Sequence, residues 1–111
     1  MQEIISHETY KTHRIAGEVD ISDLLRKMIT GQQIRMARAA LGWTVADLAT
    51  RSGVSSSSIQ RAEAIGGVPT MQSSNLFRVQ RALELGDPPS APGVIFIDAD
   101  DSGGAGVRVR R

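Results

Sequence analysis

Residues 44–63, TVADLATRSGVSSSSIQRAE, decide how this chain folds. Thr44 can cap a helix through its hydroxyl, and a helical pattern of apolar residues follows it. The inward-facing members of that pattern are Val45, Leu48 and Ala49. The pattern ends at Gly53, a residue that tolerates the positive φ of a sharp turn. Ser55 can then cap another helix, which we expect to run through Ala64.

The spacing within this stretch is the one that a helix-turn-helix requires. A small residue, Ala49, stands where two short helices would cross, and Gly53 stands at the turn between them. Val54 follows the turn, and Ile59 supplies the core side of the next helix. Because these requirements are met together, we predict a helix-turn-helix over roughly Thr44 to Glu63.

Further helices are expected on both sides of this unit. Thr30 and Gln33 match a capping box ahead of a helix of about ten residues, which Gly42 ends. The apolar positions of this helix are Ile34, Ala37 and Leu41. Trp43 is expected to fill core volume between the first two helices. Thr70 is expected to begin a fourth helix. The apolar positions of the fourth helix are Leu76, Phe77, Val79 and Leu83.

The remaining segments have different patterns. Residues 1–29 form an N-terminal extension. Within it, residues 1–21 show no sustained periodicity, although Ser22 could cap a short helix over 22–29. Residues 30–85 form the helical domain. Residues 86–93, GDPPSAPG, are expected to be a linker, because prolines remove hydrogen-bond donors and force the preceding residues to be extended. The fold class is therefore mainly α, with four to five helices followed by a short C-terminal β-hairpin.

The hairpin is predicted over residues 94–111, where VIFID and GVRVR are β-prone and ADDSGGA between them is rich in turn residues. We expect a loose loop, and we expect the hairpin to pack on another element because an isolated one is only marginally stable. VRVRR is interpreted as a strand with inward valines and solvent-facing arginines, with a basic arm on phosphate as the alternative. The hairpin is also a candidate dimerisation element.

Composition limits the class of protein. The chain has 111 residues, 41% of them hydrophobic and 23% charged, which is ordinary for one small globular domain. It contains no cysteine, so disulfides and cysteine-based zinc sites are excluded. The net charge of +1 does not by itself indicate a nucleic-acid partner. The cations between residues 31 and 85 are all arginines: Arg35, Arg38, Arg51, Arg61, Arg78 and Arg81.

Catalytic, metal and membrane functions find no support in the sequence. A G-x-S-x-G elbow, a cysteine and a histidine within the expected helices are all missing, so we expect no enzyme and no cofactor. His7 and His13 lack a third metal ligand. Asp98, Asp100 and Asp101 lack the glutamate that closes a calcium loop. No apolar run is long enough for a membrane, and we expect a cytoplasmic protein.

With QIRMARAALGW before it and VPTMQSSNLFRVQRALE after it, the helix-turn-helix stretch resembles the phage-repressor-like (Xre/Cro-type) family of DNA-binding regulators over about residues 32–85. The resemblance implies a lambda-repressor-like fold whose third helix enters the major groove of double-stranded DNA. It also implies a homodimer that reads two half-sites, usually to repress transcription. Pairing two small modules roughly doubles the free energy of discrimination.

The resemblance carries over to individual residues. Ser56, Ser57 and Arg61 match positions of base-edge contacts, and an arginine there suits guanine. The positions expected to contact the DNA backbone are Thr44, Arg51, Ser55, Ser58 and Gln60. The family often has a glutamine where this chain has Val45, so phosphate contacts are expected instead from Arg51 or from backbone N–H groups of a loop. Arg38 and Glu63 match positions that form a structural ion pair.

Two other function classes stay open at this point. A protein-interaction module, such as an antitoxin or an anti-activator, would bind a partner protein through the termini, and residues 1–29 are otherwise unassigned. RNA binding is less supported, because single-stranded recognition generally uses aromatic stacking and only four residues here are Phe, Trp or Tyr. The serine run could also be a linker or a modification site, but its place at a helix start favours capping and groove contact.

Overall fold

The computed structural model describes residues 28–88 and 91–111, without the side chain of Ala91. The helices in this part of the chain are α1 Gly31–Leu41, α2 Val45–Ser52, α3 Ser56–Ala64 and α4 Ser73–Leu85. The strands are β1 Gly86–Asp87, β2 Ala91–Pro92, β3 Val94–Ile97 and β4 Gly106–Val109. The mainly helical class is confirmed. The helix expected over 22–29 lies outside the described residues except for its last two, which are not helical.

The predicted starts of α1 and α2 and the predicted end of α2 are confirmed. Thr30 and Gln33 form a complete capping box at α1, because each side chain accepts a hydrogen bond from the other residue's backbone N–H. Thr44 and Asp47 do the same at α2. Gly53 ends α2 in the left-handed conformation at φ 74°, which a side chain would strain. The polypeptide therefore reverses sharply between α2 and α3.

The start of the fourth helix is not where the sequence suggested. The prediction of a helix from Thr70 is wrong, since α4 begins at Ser73 and Gln72 before it has an extended ψ of 144°. The extended residues between Pro69 and α4 allow Met71 to pack against the core. Phe77 was wrongly placed in the core as well. Its neighbours on α4 already fill the inward face, and Phe77 is 62% exposed.

One apolar core joins all the helices and the hairpin. Trp43 is buried within it, as expected. Its fully buried large side chains come from the segment before α1, from every helix and from β3: Ile29, Ile34, Leu48, Ile59, Val79, Leu83 and Val94. Since burial of one such side chain stabilises a protein by about 1.5–3 kcal/mol, Val94 attaches the hairpin firmly to the helices.

The hairpin packs on α1 and α4. The Gln33 amide Nε2 donates to the carbonyls of Ile97 and Gly106, at 3.0 and 2.9 Å. At the other end, Gly93 lies so close to α4 that an added Cβ would overlap the Glu84 carbonyl oxygen. A glycine is thus required for this approach, and the hairpin is held at both ends.

The register of the hairpin decides which side chains face the helices. Val94 pairs with Val109 and Phe96 pairs with Val107, and these pairs share the inner face. Arg108 and Arg110 are exposed, as the strand interpretation predicts. The expectation that both valines are buried is only half correct. Val107 packs on the core, whereas Val109 is 46% exposed because it extends beyond the helices.

Two connections are more regular than expected. Within residues 86–93, β1 pairs with β2 in antiparallel fashion, Gly86 opposite Pro92 and Asp87 opposite Ala91. The loop of the β3–β4 hairpin is not loose. Its Asp100 carboxylate accepts hydrogen bonds from the amide and hydroxyl of Ser102 and from the amide of Gly103. These bonds close the loop and lower the pKa of Asp100.

Candidate nucleic-acid interface

Helix α3 presents a continuous polar face to solvent. Ile59, Ala62 and Glu63 are buried, so α3 packs against the domain by one side. The side chains on the opposite side are small or polar: Ser56, Ser57, Gln60, Arg61 and Ala64. Ser56 is half-buried and the others are exposed. Since residues four apart lie above one another on a helix, Ser57 with Arg61 and Ser56 with Gln60 form two adjacent rows.

The serines at the start of α3 form a hydrogen-bonded cluster. Ser55 caps the helix, its hydroxyl accepting from the Ser58 amide at 3.2 Å. The Ser55 hydroxyl also donates to the Ser58 hydroxyl at 2.9 Å, and Arg61 Nη2 donates to the same Ser58 oxygen at 3.3 Å. Ser57 Oγ is 3.4 Å from Ser55 Oγ. The cluster orders the helix start, which is inconsistent with a flexible serine linker.

The expected ion pair between Arg38 and Glu63 is present and ties α1 to α3. Arg38 Nε lies 2.7 Å from Glu63 Oε2, and Nη2 lies 2.8 Å from Oε1, a two-pronged arrangement. Arg38 also donates to the Trp43 carbonyl, and Arg35 donates to the Glu63 carbonyl. The hydrogen bonds that Arg38 donates to the Glu63 carboxylate raise the pKa of Arg38. Glu63 belongs to the inner side of α3 and Arg38 to α1, so the pair fixes the orientation of α3 and of its outer side.

A polar cleft of about 260 Å³ opens between α3 and the start of α4. Ser58 and Arg61 line it from α3, and Thr70, Gln72 and Asn75 line it from the opposite side. Gln72 makes no side-chain cap, so the first amides of α4 lack that partner. Free amides at a helix start and a nearby guanidinium attract an anion. The cleft adjoins the exposed face of α3 through Arg61.

A family model described as a helix-turn-helix domain matches residues 30–88, which is more than half of the chain. The chain belongs to the helix-turn-helix domain family. The match agrees with the resemblance to the phage-repressor-like regulators, and it covers all four helices described above. No curated protein and no solved structure matches the chain. Helix-turn-helix membership indicates a DNA-binding regulator.

Arg51 of the helix-turn-helix is held by other residues of the protein. Its guanidinium carbon lies 4.6 Å from the centroid of the Trp43 ring, within the range of a cation–π contact. Its Nη2 lies 3.1 Å from Asp87 Oδ2 in β1. These contacts connect α2 to the segment that follows α4. A phosphate bound by Arg51 would have to share the guanidinium with Asp87, a competition that the sequence alone did not indicate.

The start of α2 carries a negative charge that sequence reasoning missed. The Thr44 hydroxyl accepts from the Asp47 amide at 3.0 Å, and the Asp47 carboxylate accepts from the Thr44 amide at 2.9 Å. The second bond lowers the pKa of Asp47. The exposed Asp47 carboxylate beside the Thr44 hydroxyl opposes close approach of an anion to the start of α2. The capping-box spacing T-x-x-D was the available signal.

The arginines of the helix-turn-helix domain differ in how they are used. Three form ion pairs: Arg38 with Glu63, Arg51 with Asp87 and Arg81 with Glu84. Arg35, Arg61 and Arg78 have no ion-pair partner among the described residues, and Arg35 donates instead to the Glu63 carbonyl. Of these three, only Arg61 lies on α3. Its charge is therefore available to an external anion or to a base edge.

Neither a metal site nor a membrane span is found in the described part of the chain. Residues 28–88 and 91–111 contain no group of three histidine or carboxylate side chains placed to hold a metal ion. The same residues include no helix that is both long and apolar enough to cross a membrane. The histidines considered as ligands, His7 and His13, lie outside the described residues.

Proposed function

We propose that the protein is a sequence-specific regulator of transcription that binds double-stranded DNA in the cytoplasm. In this proposal it acts as a repressor, as a homodimer on an operator with two inverted half-sites. The observation that carries the proposal is the exposed face of α3. It is polar, and it contains an arginine without an ion-pair partner among the described residues.

The base contacts in this proposal come from Ser56, Ser57 and Arg61. A guanidinium can donate two hydrogen bonds to O6 and N7 of one guanine, whereas serine hydroxyls both donate and accept and discriminate weakly. Most of the sequence preference is therefore assigned to Arg61. Gln60 lies on the same face as Ser56, and its amide is assigned to the DNA backbone rather than to a base.

The backbone contacts are assigned to groups around this face. Ser55 and Ser58 lie at the start of α3, where hydroxyls and amide N–H groups can hold a phosphate. Thr44 is the corresponding group at α2, and Arg51 contributes if it exchanges its bond to Asp87 for one to phosphate. The cleft beside Arg61 accepts a further phosphate. These contacts set the register of α3 without reading sequence.

The test is selection of binding sites from a random pool of double-stranded DNA with the full chain, at two salt concentrations. We expect a motif with two inverted half-sites about 34 Å apart, one helical turn of DNA. Arg61→Ala should weaken binding to the selected site by about 1–3 kcal/mol, or roughly 5- to 150-fold, and relax the preference at one base position.

Arg78→Ala is the matched control, because Arg78 is also an exposed arginine with no ion pair among the described residues but lies on α4. It should leave the base preference unchanged. The proposal is abandoned if no motif emerges and the remaining binding disappears at moderate salt, since such binding is purely electrostatic.

A protein-interaction module is the second candidate, and the exposed side of α4 favours it. Phe77 and Leu85 are 62% and 58% exposed on that helix. Exposed apolar side chains of this size are candidates for contact with a partner protein. The sequence analysis considered the termini as the binding site for a partner protein. Of the N-terminal segment, residues 1–27 lie outside the described part of the chain. Retention of a partner by an Arg61→Ala, Ser57→Ala variant would support this candidate.

A further inference from the structure

We propose that the β3–β4 hairpin is the homodimer interface, and that the outer edge of β4 pairs in antiparallel fashion with β4 of a second copy. The result is one four-stranded sheet across the dimer. The inference rests on the proposed function, which requires two copies of the chain. It adds the surface through which the two copies contact each other.

The first observation is that one hydrogen-bonding edge of β4 is not paired with any other described residue. In an antiparallel pair, opposite residues alternate between those that exchange hydrogen bonds and those that do not. The Arg110 amide donates to the Gly93 carbonyl, so these two residues form a hydrogen-bonded pair. Every second pair of opposite residues from there along the two strands is also hydrogen-bonded. Val107 and Val109 belong to the other set, and their amides and carbonyls point away from β3. Among the described residues these groups have no backbone partner.

The second observation is that the edge is apolar at one end and uncovered there. Val109 is 46% exposed although the register places it on the inner face beside Val94. In a symmetric antiparallel pairing centred on Arg108, Val109 of each copy lies opposite Val107 of the other. The two Val107–Val109 pairs then bury the uncovered part of the inner face, and their backbone groups exchange hydrogen bonds.

Charge favours a second copy as the occupant of this edge. The hairpin carries exposed carboxylates of Asp98, Asp100 and Asp101 at its loop end. It carries the exposed arginines Arg110 and Arg111 at the opposite end. The two ends are separated by about 14 Å, the length of four extended residues. In an antiparallel dimer the arginines of each copy lie beside the acidic loop of the other, so opposite charges meet twice.

The pairing leaves one unfavourable contact, Arg108 opposite Arg108 of the second copy. Like charges directly opposite destabilise a sheet. Both side chains, however, project from the solvent-exposed outer face, where water screens them. A parallel pairing would place all the arginines together and all the aspartates together, so the antiparallel arrangement is the favoured one.

The first experiment measures the mass of the full chain by sedimentation equilibrium over a range of concentrations. Val109→Pro removes the outward N–H and leaves the β3–β4 ladder intact, since proline is accepted where the N–H faces outward. We expect the wild type to be a dimer and Val109→Pro to dissociate at least tenfold more readily, about 1.4 kcal/mol. Val109→Thr, which keeps both the N–H and the branched shape, should remain a dimer.

A second set of variants keeps the proposal testable if the proline variant unfolds. Arg110→Glu with Arg111→Glu should weaken the dimer, and adding Asp98→Lys with Asp101→Lys should restore it, because the charges are again complementary. The proposal is overturned if the wild type is a monomer at every concentration or if these variants leave the dimer unchanged. It is also overturned if Phe77→Ser on α4 abolishes the dimer while Val109→Pro does not.

DNA selection separates this inference from the proposed function. If the wild type selects a two-half-site motif and Val109→Pro binds it equally well, the hairpin interface is wrong and DNA recognition stands. If no motif is selected, DNA recognition is wrong, and the mass measurement, which needs no DNA, still decides the interface.

Discussion

Replacing Arg38 with methionine should destabilise the domain more than any other exchange of a single arginine in the helices. Arg38→Met keeps much of the length and the apolar stem of the side chain, but it removes both donors to the Glu63 carboxylate. Glu63 is 7% exposed, so water can replace those donors only poorly. The variant therefore leaves a buried charge without its partner.

The size of the effect follows from this burial. Removing one partner of a buried ion pair costs about 3–5 kcal/mol. The Arg38 side chain is itself 22% exposed, which allows some water to reach the carboxylate, so we expect the lower end, about 3 kcal/mol. For a domain of this size a loss of 1 kcal/mol lowers Tm by roughly 4–8 °C, and the expected decrease is therefore about 12–24 °C.

Urea and thermal unfolding followed by circular dichroism measure the loss. Arg81→Met is the matched control, because its 3.7 Å pair with Glu84 is exposed and should contribute less than about 1 kcal/mol. The double variant Arg38→Met, Glu63→Leu should recover most of the stability, since an apolar pair replaces the buried charges. If Arg38→Met costs no more than Arg81→Met, the pair does not orient α3 and the reasoning fails.

Two other predictions concern the helix-turn-helix frame and the hairpin. The pKa of Asp47 is lower in the folded state than its ordinary value of 3.8, so its contribution to stability is present above that value and is lost as the pH falls through the lowered one. Tm measured from about pH 7 down to about pH 2 should therefore fall less steeply for Asp47→Asn than for Asp98→Asn, and equal slopes would contradict a role for the Asp47 cap. Gln33→Leu removes the donors to Ile97 and Gly106 and should cost about 1–3 kcal/mol. Amide exchange in β3 and β4 should then accelerate relative to α3, and uniform acceleration would show that the hairpin is not held by Gln33 specifically.

The DNA-binding candidate face was partly accessible from the sequence. The serines and Arg61 stand between helix boundaries that local signals define, so their place on an outward face follows from helical periodicity. The state of each charge was not accessible in the same way. Arg51 was assigned to phosphate, but the structure places it against Trp43 and Asp87, a partner 36 residues further along the chain. No periodicity reports such a contact.

Local chemistry also explains where sequence reasoning succeeded for the fold. Capping boxes, left-handed glycines and apolar spacing act within a few residues, and they placed the boundaries of α1, α2 and α3. The start of α4 was missed because no side-chain cap marks it, since Gln72 at that position makes no capping hydrogen bond. Val109 was missed for a different reason, since its exposure depends on where the helical layer ends beneath the sheet.

Local sequence patterns are sufficient to predict the helix-turn-helix and the polar face of its second helix, because both depend on capping hydrogen bonds and on helical periodicity within single turns. The packing of the hairpin on the helices depends instead on long-range contacts. Gln33 makes two of them, since its side chain both completes the capping box of α1 and binds carbonyls 64 and 73 residues away. Such contacts form only after the chain has packed, so no local pattern specifies them. Within residues 28–88 and 91–111 the outer edge of β4 pairs with no other strand, and that edge is where we place the second copy.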